Sequence, residues 1–352
     1  MTKVASPRWS WLRDVANLVA TPLLPSHYIA LVRPLAASHT RQARVEAVHD
    51  EAPGVRTLVL RPGRGWRSHR AGQHVRVGVA IAGRIATRTY SISSSPERRD
   101  GCFTITVKAQ GRVSRALVHD VEVGTFVTVG HAEGEFVIPD GAPVRPLFIT
   151  AGSGITPVAS MIRTFALRGA MPDVVHVHYA RTSDDVIFGE ELRAIAVDHP
   201  SYRLIVSTTA DDPRRFSAAR LDALVGDWRT RECWACGPQA LLDAVCATVP
   251  RVHVERFRAA LAVLPATSGG RVTFAASAVD ATADGQTPLL QVAEGAGLSP
   301  PHGCRMGICH TCDATMTSGC VRDLRTGTTL DEPGTRIQLC VCAAAGDVEL
   351  NL

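Results

Sequence analysis

The sequence has no uninterrupted run of apolar residues long enough to cross a bilayer. The most apolar stretch near the N-terminus, VANLVATPLLPSHYIALV, is broken by Pro22, Pro25 and His27, whereas a spanning helix needs roughly 18 consecutive apolar residues. The stretch also lacks the pattern of a signal peptide. We therefore expect a cytoplasmic protein, and this compartment argues against a disulfide framework as the role of the ten cysteines.

Lysine is nearly absent, so arginine carries almost all of the positive charge. The net charge is only +5, and it is unevenly distributed. Residues 1–40 hold four basic residues and one acidic residue, a balance of +3, whereas residues 271–352 hold five arginines and nine acidic residues, a balance of −4. This asymmetry suggests different partners for the two ends. We expect no nucleic-acid partner.

Residues 1–38 form a basic extension that contains Trp9 and Trp11. Tryptophan beside arginine suits a membrane interface, so the extension is either a peripheral anchor at the inner face of the cell membrane or an arm that packs on its own protein. The sequence leaves these two alternatives open.

The hydrophobic pattern changes along the chain and predicts several domains, as does a length of 352 residues. Short alternating runs between about residues 40 and 140 predict an antiparallel β-barrel. Apolar strands that alternate with helical stretches from 145 to 257 predict a doubly wound parallel sheet. A small-residue linker precedes the cysteine-containing C-terminal unit. The predicted boundaries are 1–38 for the extension, 39–142 for the barrel, 143–258 for the parallel sheet, 259–270 for the linker and 271–352 for the last unit.

The segment PHGCRMGICHTC at residues 301–312 has the spacing C-x4-C-x2-C, and LCVC follows at residues 339–342. Three cysteines on one loop with a distant fourth match the plant-type pattern for a [2Fe–2S] cluster. Structural zinc sites more often use two short knuckles, so zinc is the less favoured alternative. Cys340 and Cys342 lie two residues apart on one strand and would face the same side, so spacing alone leaves the fourth ligand open.

The other cysteines have simpler interpretations. Cys102, Cys246 and Cys320 lack partner spacing, and we expect them to be small core residues. Cys233 and Cys236 form a C-x-x-C pair, but they lie on an apparent strand. Residues three apart on a strand point to opposite faces, which argues against a redox dithiol.

An iron–sulfur centre accepts one electron at a time, so a hydride donor requires a flavin between the two. In the barrel region, RTYS at residues 88–91 follows a strand, and its Arg, Tyr and Ser have the chemistry to contact a pyrophosphate and a flavin ring. In the next domain, AGSGITP at residues 151–157 joins a strand to a helix, although it does not meet the standard dinucleotide fingerprint. CGP at residues 236–238 would place a thiol at the carboxyl end of a strand, where ligands bind in such sheets. Each motif alone is weak.

Taken in order, RTYS, GRVS (111–114), AGSGITP, CGP, ERF (255–257) and C-x4-C-x2-C…C resemble the ferredoxin–NADP reductase superfamily with a C-terminal plant-type ferredoxin domain. The resemblance covers roughly residues 40–352. It implies a flavin-binding β-barrel, a nucleotide-binding parallel sheet and a β-grasp ferredoxin domain. It also implies FAD, a nicotinamide nucleotide and a [2Fe–2S] cluster as cofactors.

The same resemblance implies roles for individual residues. Arg88, Thr89, Tyr90 and Ser91 would contact the flavin, and Gly111 and Ser114 its pyrophosphate. Gly152, Gly154, Thr156, Gly237 and Pro238 would line the nucleotide site, with Cys236, Glu255 and Ser91 near the site of hydride transfer and Phe257 near the flavin. Cys304, Cys309, Cys312 and Cys340 would ligate the cluster, because QLCV around Cys340 matches the family pattern. Plant reductases of this family end with a tyrosine after the nucleotide domain. This sequence has no such tyrosine, and Phe257 and the linker occupy that region.

Arginines near the expected adenosine ribose favour NADPH over NADH. Arg181 and Ser183 follow the second strand of the parallel sheet, and Arg214 and Arg215 follow the third. An arginine at that strand end accommodates a 2′-phosphate, whereas an acid would select the free hydroxyl of NADH. The alternative is that these arginines form a solvated rim.

The electron acceptor is the least determined partner. The acidic C-terminal unit offers a docking surface for a basic protein. The stretch TPLLPSHYIALVRPL at residues 21–35 resembles the leader of actinobacterial reductases that serve membrane di-iron fatty-acyl-CoA (stearoyl-CoA) desaturases. The alternatives are a soluble Rieske or di-iron hydroxylase, an alkane hydroxylase, or a non-catalytic iron–sulfur or zinc regulatory protein. The regulatory alternative leaves RTYS, AGSGITP and CGP without a purpose.

Overall fold

The computed structural model describes residues 35, 41–139, 145–210, 215–257, 268–303, 305–307 and 310–352. The predictions for the N-terminal extension, for most of the linker, and for Arg214, Cys304 and Cys309 lie outside these residues. In the part of the chain that is described, no helix is both long and apolar enough to span a membrane.

The first sheet is antiparallel and closes into a barrel. Its strand order is β4-β3-β6-β1-β2-β5, and a bridge between Ile92 and Ile105 joins the end of β4 to β5. Alternate residues such as Leu58 and Leu60 point into the core, as the period of a strand requires. The elements are β1 (Gln42–Ala52), β2 (Val55–Pro62), β3 (His74–Ile81), β4 (Arg84–Ser91), β5 (Phe103–Lys108), α1 (Arg112–His119) and β6 (Phe126–Glu133).

The second sheet is parallel and has the strand order β11-β10-β7-β8-β9. The chain starts at the central strand, extends to one side and then returns to the other, so the direction reverses between β7 and β10. This reversal is the switch point at which doubly wound sheets bind ligands. The elements are β7 (Pro146–Ala151), α2 (Ile155–Arg168), β8 (Val174–Ala180), α3 (Gly189–Asp198), β9 (Tyr202–Thr208), α4 (Ala218–Leu224), β10 (Glu232–Cys236), α5 (Gln239–Thr248) and β11 (Val252–Glu255).

The two faces of the parallel sheet differ in chemistry. One face packs apolar side chains, among them Ile149 and Val177, against Leu221 of α4 and Val245 of α5. The other face carries buried polar and aromatic side chains, among them Thr150, His176 and His178. Because strand side chains alternate, adjacent residues of one strand supply both faces.

The third sheet is mixed and has the order β13-β12-β17-β14-β15, with β16 paired to β14. Its first strand, β12, runs parallel to its last strand, β17, while the other pairs are antiparallel. Leu289 and Leu290 of the single described helix of this region are buried in its core. This arrangement agrees with the expected β-grasp. The elements are β12 (Gly270–Phe274), β13 (Val279–Ala283), α6 (Leu289–Gly295), β14 (Asp313–Asp323), β15 (Thr329–Leu330), β16 (Arg336–Gln338) and β17 (Cys342–Asn351).

The predicted fold class is therefore confirmed. The described residues divide into two compact units. The first holds the barrel strands apart from Thr87–Thr89, together with Thr156–Ala170, and the second holds Thr87–Thr89, the parallel sheet and the C-terminal sheet.

Candidate functional site

The RTYS motif forms the last four residues of β4 rather than following a strand, which corrects the prediction. Arg88, Thr89 and Tyr90 are half-buried, and Ser91 is buried. The burial of the motif therefore increases toward the end of the strand. Tyr90 packs against the barrel core.

Two hydroxyl groups of this motif fit a polar ligand. Thr89 Oγ1 and Ser91 Oγ are inaccessible to solvent and make no hydrogen bond with any described residue. A buried hydroxyl without a partner is costly, and such groups are often found where a ligand supplies the partner. The end of β4 thus has the donors that a flavin would need.

The segment that follows Ser91 is fixed by α2. Ser160 Oγ donates to the carbonyl of Ser94 (2.5 Å), and Thr164 Oγ1 donates to Ser95 Oγ (2.9 Å). All of these side chains are buried. Hydrogen bonds in such an environment hold the backbone after Ser91 in one conformation.

Gly111 and Ser114 lie at the N-terminus of α1. Gly111 is the residue before the helix, and no atom lies within 4 Å of the position that its Cβ would take. Ser114 Oγ accepts from the Gly111 amide (2.8 Å) and donates to the Gly111 carbonyl (3.0 Å). Ser114 therefore stabilises the helix start, while the open helix N-terminus is suited to an anion such as a pyrophosphate.

The AGSGITP and CGP motifs meet at the switch point of the parallel sheet. Cys236 is in register with Thr150 on the neighbouring strand. A Cβ on Gly154 would lie 2.2 Å from the Cys236 carbonyl oxygen, so only glycine permits this approach. Gly152 has a φ of +53°, and its side-chain position faces open space. Gly237 and Pro238 lead into α5, with Pro238 directly before the helix.

Cys236 ends β10 and is fully buried. It is in register with Glu255, the last residue of β11. Burial raises the pKa of the Cys236 thiol well above its usual range, and the nearby Glu255 carboxylate raises it further. The sulfur is therefore a neutral thiol at physiological pH. Phe257, two residues beyond Glu255, is 40% exposed.

The residues expected at the adenosine ribose lie at the surface. Arg181 and Ser183 are exposed just after β8, and Arg215 is exposed after β9. Arg181 donates to the Asp185 carboxylate (2.9 Å). A phosphate at this position would compete with that carboxylate for the guanidinium. Thr156 is buried near the start of α2.

Two of the expected cluster ligands are described, and they lie together. The backbone amide of Leu339 donates to the carbonyl of Cys312 (3.2 Å). A hydrogen bond from Cys340 lowers the pKa of the Cys312 thiol to about 6, which favours the thiolate that iron requires. Burial raises the pKa of Cys342 to about 12. This donor set fits an iron–sulfur cluster.

The loop between the cysteines has an unusual backbone. Arg305 and His310 have φ values of 57° and 53°, which non-glycine residues rarely adopt. Arg325 Nη1 donates to the Gly307 carbonyl (2.9 Å), and a Cβ on Gly307 would lie 2.6 Å from that nitrogen. Arg325 therefore braces the loop from the turn that follows β14. Sequence reasoning missed it, because no spacing rule relates Arg325 to the cysteines.

The remaining cysteines agree only partly with expectation. Cys233 is in the core cluster of one sheet face, and Cys236 belongs to the other face, so they do not form a dithiol pair. Cys102 is buried and Cys320 is half-buried, but Cys246 is exposed. The core prediction for Cys246 is wrong because α5 buries Leu242 and Val245, which places residue 246 on the solvent side.

Comparison with protein families assigns a function class to each sheet. Residues 56–138 match an oxidoreductase FAD-binding domain, residues 148–247 match an oxidoreductase NAD-binding domain, and residues 274–345 match a 2Fe-2S iron-sulfur cluster binding domain. The order is the one that the sequence motifs indicated.

Whole-chain comparisons give the same arrangement. An NADPH oxidoreductase of Mycobacterium tuberculosis H37Rv is 45% identical over 98% of this chain and 93% of its own length. The ferredoxin reductase component of the 3-ketosteroid-9-alpha-monooxygenase of that organism is 32% identical over 80% and 86%, respectively. The structure of phthalate dioxygenase reductase covers 88% of this chain and 97% of its own, with a TM-score of 0.64 and 23% identity. This last similarity shows the fold.

The fold and the site thus define a modular NAD(P)H oxidoreductase, a reductase component with FAD-binding, NAD(P)-binding and [2Fe–2S] domains. The chain belongs to the ferredoxin–NADP reductase family, in the group that carries a C-terminal ferredoxin domain.

Proposed function

We propose that this protein is the NADPH-dependent reductase of a membrane-bound di-iron fatty-acyl-CoA desaturase. A hydride carries two electrons, whereas a [2Fe–2S] cluster accepts one at a time. Bound FAD would accept the hydride and release its electrons singly. The observation that carries the electron-transfer part is the pair of buried, unpartnered hydroxyls at the end of β4. The proposal includes the domain boundaries given above.

The proposed flavin site uses the end of β4 and the start of α1. Arg88 contacts the diphosphate, Tyr90 lies on the ring, and Thr89 and Ser91 hydrogen-bond to it. Gly111 and Ser114 form the rest of the pyrophosphate site, where the amide groups of the helix start favour an anion. Phe257 lies near the flavin in place of the absent tyrosine.

The proposed nucleotide site lies where β7 and β10 end. Gly152, Gly154 and Thr156 line it from one loop, and Gly237 and Pro238 from the other. Cys236 lies beside the nicotinamide as a neutral thiol that positions the ring without adding charge. Glu255 lies next to Cys236 on the neighbouring strand, and its proposed place is beside Cys236 at the site of hydride transfer.

NADPH is the proposed donor. Arg181 and Ser183, together with Arg214 and Arg215, would bind the 2′-phosphate. The 45% identical relative is named for NADPH, which supports this choice over NADH.

The proposed cluster ligands are Cys304, Cys309, Cys312 and Cys340. Replacing Cys340 with Ser in the holoprotein should remove the cluster signal in electron paramagnetic resonance and abolish transfer to the acceptor. NADPH–ferricyanide reduction, which needs only the flavin, should persist. The matched Cys342→Ser variant should keep both activities, and the opposite pattern would make Cys342 the ligand.

The choice of a membrane desaturase as the acceptor is supported by the N-terminal stretch at residues 21–35 and by the acidic C-terminal unit. The second candidate is a soluble Rieske or di-iron hydroxylase, or an alkane hydroxylase. It is favoured by relatives such as the stachydrine N-demethylase reductase subunit of Rhizobium meliloti, 31% identical over 80% of this chain.

Reconstitution separates the two candidates. Purified holoprotein and NADPH are combined with vesicles that contain a stearoyl-CoA desaturase or, separately, with a soluble Rieske oxygenase. We expect NADPH-dependent desaturation and little product from the oxygenase. Product from the oxygenase alone would replace the proposal with the second candidate.

The proposed anchoring role of residues 1–38 is tested by flotation with anionic vesicles. The full chain should float with the vesicles, and a chain that lacks residues 1–38 should remain below them. Equal distribution of the two chains would remove the anchoring part of the proposal while leaving the electron-transfer part intact.

A further inference from the structure

His302 joins the flavin motif to the cysteine loop. Its Nε2 atom lies 3.1 Å from Arg88 Nη1 and 2.9 Å from Arg305 Nη2. Its Nδ1 atom lies 2.9 Å from the Pro300 carbonyl oxygen. Since a carbonyl can only accept, Nδ1 carries the hydrogen and Nε2 is the acceptor for both arginines. The two guanidinium groups therefore converge on one lone pair.

The far end of this connection is anchored in the C-terminal sheet. Arg305 Nη1 donates to Glu294 Oε2 (2.9 Å), and a second contact joins the same two side chains. Glu294 belongs to α6, whose Leu290 and Ala293 are buried in the core of that sheet. The hydrogen-bonded series Arg88–His302–Arg305–Glu294 thus runs from β4, the strand that carries the RTYS motif, to α6.

Both ends of this hydrogen-bonded series, Arg88 and Glu294, lie in one compact unit. Thr87–Thr89 group with the unit that holds the parallel and C-terminal sheets rather than with the other barrel residues. Arg305 and Glu294 are 21% and 31% exposed, and the contact between Arg88 and His302 is partly buried. Partial burial strengthens such charge-assisted hydrogen bonds relative to exposed ones.

His302 lies beside both the RTYS motif and the cysteine loop. His302 and Arg305 flank Cys304 in the sequence, and Arg88 belongs to RTYS. Arg305 also has a left-handed backbone, a conformation that persists in non-glycine residues when surrounding contacts determine it. The contacts that determine it here are those to Glu294 and His302.

We propose that His302 is a positioning residue that latches the cysteine loop to the flavin strand and so fixes the separation between the bound flavin and the cluster. The inference rests on the proposed roles of Arg88 and Cys304. In the step that it governs, the reduced flavin loses one electron and the cluster gains one, while His302 exchanges neither atoms nor electrons.

The test is the His302→Phe variant of the holoprotein, which keeps a ring and removes the acceptor. Flavin reduction by NADPH should be unchanged, whereas cluster reduction should slow by at least about tenfold, because the variant loses the hydrogen bonds to two guanidinium groups. Amide hydrogen exchange in residues 298–303 and 84–91 should accelerate by a similar factor, in both the loaded protein and the cluster-free protein. His302→Gln keeps an amide oxygen that can accept a hydrogen bond from a guanidinium group. It should therefore bring both the rate of cluster reduction and the rate of amide exchange most of the way back to those of the unmodified protein.

The matched control is His310→Phe, a histidine of the same loop whose ring bonds locally to Asp313 (3.2 Å). It should leave the exchange of residues 84–91 and the rate of cluster reduction near those of the unmodified protein. Equal effects of the two Phe variants, or unchanged exchange in His302→Phe, would overturn the latch. Failure of the proposed function itself would appear differently, as absent flavin or absent iron in the unmodified protein.

Discussion

Ser91 and Ser93 lie two residues apart, yet only the Ser93 hydroxyl has a hydrogen-bond partner among the described residues. Ser93 Oγ lies 2.8 Å from Thr104 Oγ1 and 3.0 Å from Thr106 Oγ1. Ser91 Oγ is equally buried and has no such partner among the described residues. Ser93 therefore stabilises the barrel, whereas Ser91 is available to a ligand.

Replacing Ser91 with Ala should separate folding from cofactor binding. In the FAD-free protein the free energy of unfolding should stay the same or rise by up to about 1 kcal/mol, because a buried unsatisfied hydroxyl is removed. FAD-loaded protein should show flavin reduction slowed by about tenfold, the cost of one lost hydrogen bond near the ring. Urea unfolding and stopped-flow absorbance measure the two quantities. Ser93→Ala, the control, should lower stability; if Ser91→Ala lowers it equally, Ser91 is structural.

The preference for NADPH over NADH is predicted to depend on one residue, Arg181. Replacing it with Gln should raise KM for NADPH by about tenfold, because a phosphate loses a charge-assisted partner, and should leave KM for NADH nearly unchanged. Asp185→Asn releases the guanidinium from its carboxylate and should lower KM for NADPH. Initial-rate kinetics with ferricyanide measure both constants. Parallel changes for the two nucleotides would place the 2′-phosphate elsewhere.

At the scale of elements, β7, β8 and β9 share a buried polar row beneath the nucleotide loops. Thr150 Oγ1 lies 2.7 Å from His176 Nε2 and 2.8 Å from His178 Nδ1. His176 Nδ1 lies 3.1 Å from the Tyr202 hydroxyl. Both rings are fully buried. The row joins the strand that enters AGSGITP to the strands beside it.

This row predicts acid sensitivity. Burial lowers the pKa of His176 well below its usual value, with a further contribution from His178, and burial lowers the pKa of His178 to about 3. Below pH 6.5 the unfolded chain binds protons that the folded chain refuses, so stability is complete above that pH and falls as the pH drops toward 3. Each histidine should contribute about 1.4 kcal/mol per pH unit within this window.

Urea unfolding between pH 7.5 and 5 measures the effect. The His176→Gln/His178→Gln variant should have a flatter pH dependence than the unmodified protein. His119→Gln, at an exposed position, should keep the original slope. A slope that the double variant does not change would mean that other groups cause the acid sensitivity.

Elements could be predicted from the sequence because periodicity is local. The stretches that form β8 and β9, VVHVHYA and YRLIVST, lie in the region 145–257 where the sequence predicts apolar strands between helices, since largely apolar runs are typical of strands covered on both faces. The four-residue β11 was not predicted as a strand, because its stability comes from pairing with β10 rather than from its own pattern. RTYS was placed after a strand because its polar residues hide the continuation of β4.

Contacts between distant residues could not be predicted in the same way. His302 meets Arg88 across 214 positions, and Arg325 meets Gly307 through a guanidinium that no motif requires. The cysteine motif leaves a trace in the sequence, as the C-x4-C-x2-C spacing and as the family pattern QLCV around Cys340, whereas hydrogen bonds between single side chains leave none. The motifs thus identify candidate site residues, and the fold identifies the residues that contact them.

At the scale of the whole molecule, the charge is unevenly distributed along the chain. The C-terminal unit has a balance of −4 within a chain of net charge +5. Such a patch speeds encounter with a basic partner more than it strengthens the complex. Asp331 and Glu332 are exposed in this unit, between β15 and β16. They are adjacent acids of this unit that an approaching basic acceptor could meet.

Neutralising these two acids should therefore change the kinetics of the acceptor and little else. For the unmodified protein, kcat/KM for the desaturase should fall as NaCl rises from about 0.05 to 0.5 M, because the Debye length shortens from about 14 to about 4 Å. Asp331→Asn/Glu332→Gln should have a lower kcat/KM at low salt and a shallower dependence on salt, with kcat unchanged. Glu190→Gln/Asp198→Asn removes two exposed acids from α3 and should behave as the unmodified protein. A salt dependence that shifts equally in both double variants would mean that net charge, rather than the C-terminal patch, guides the acceptor.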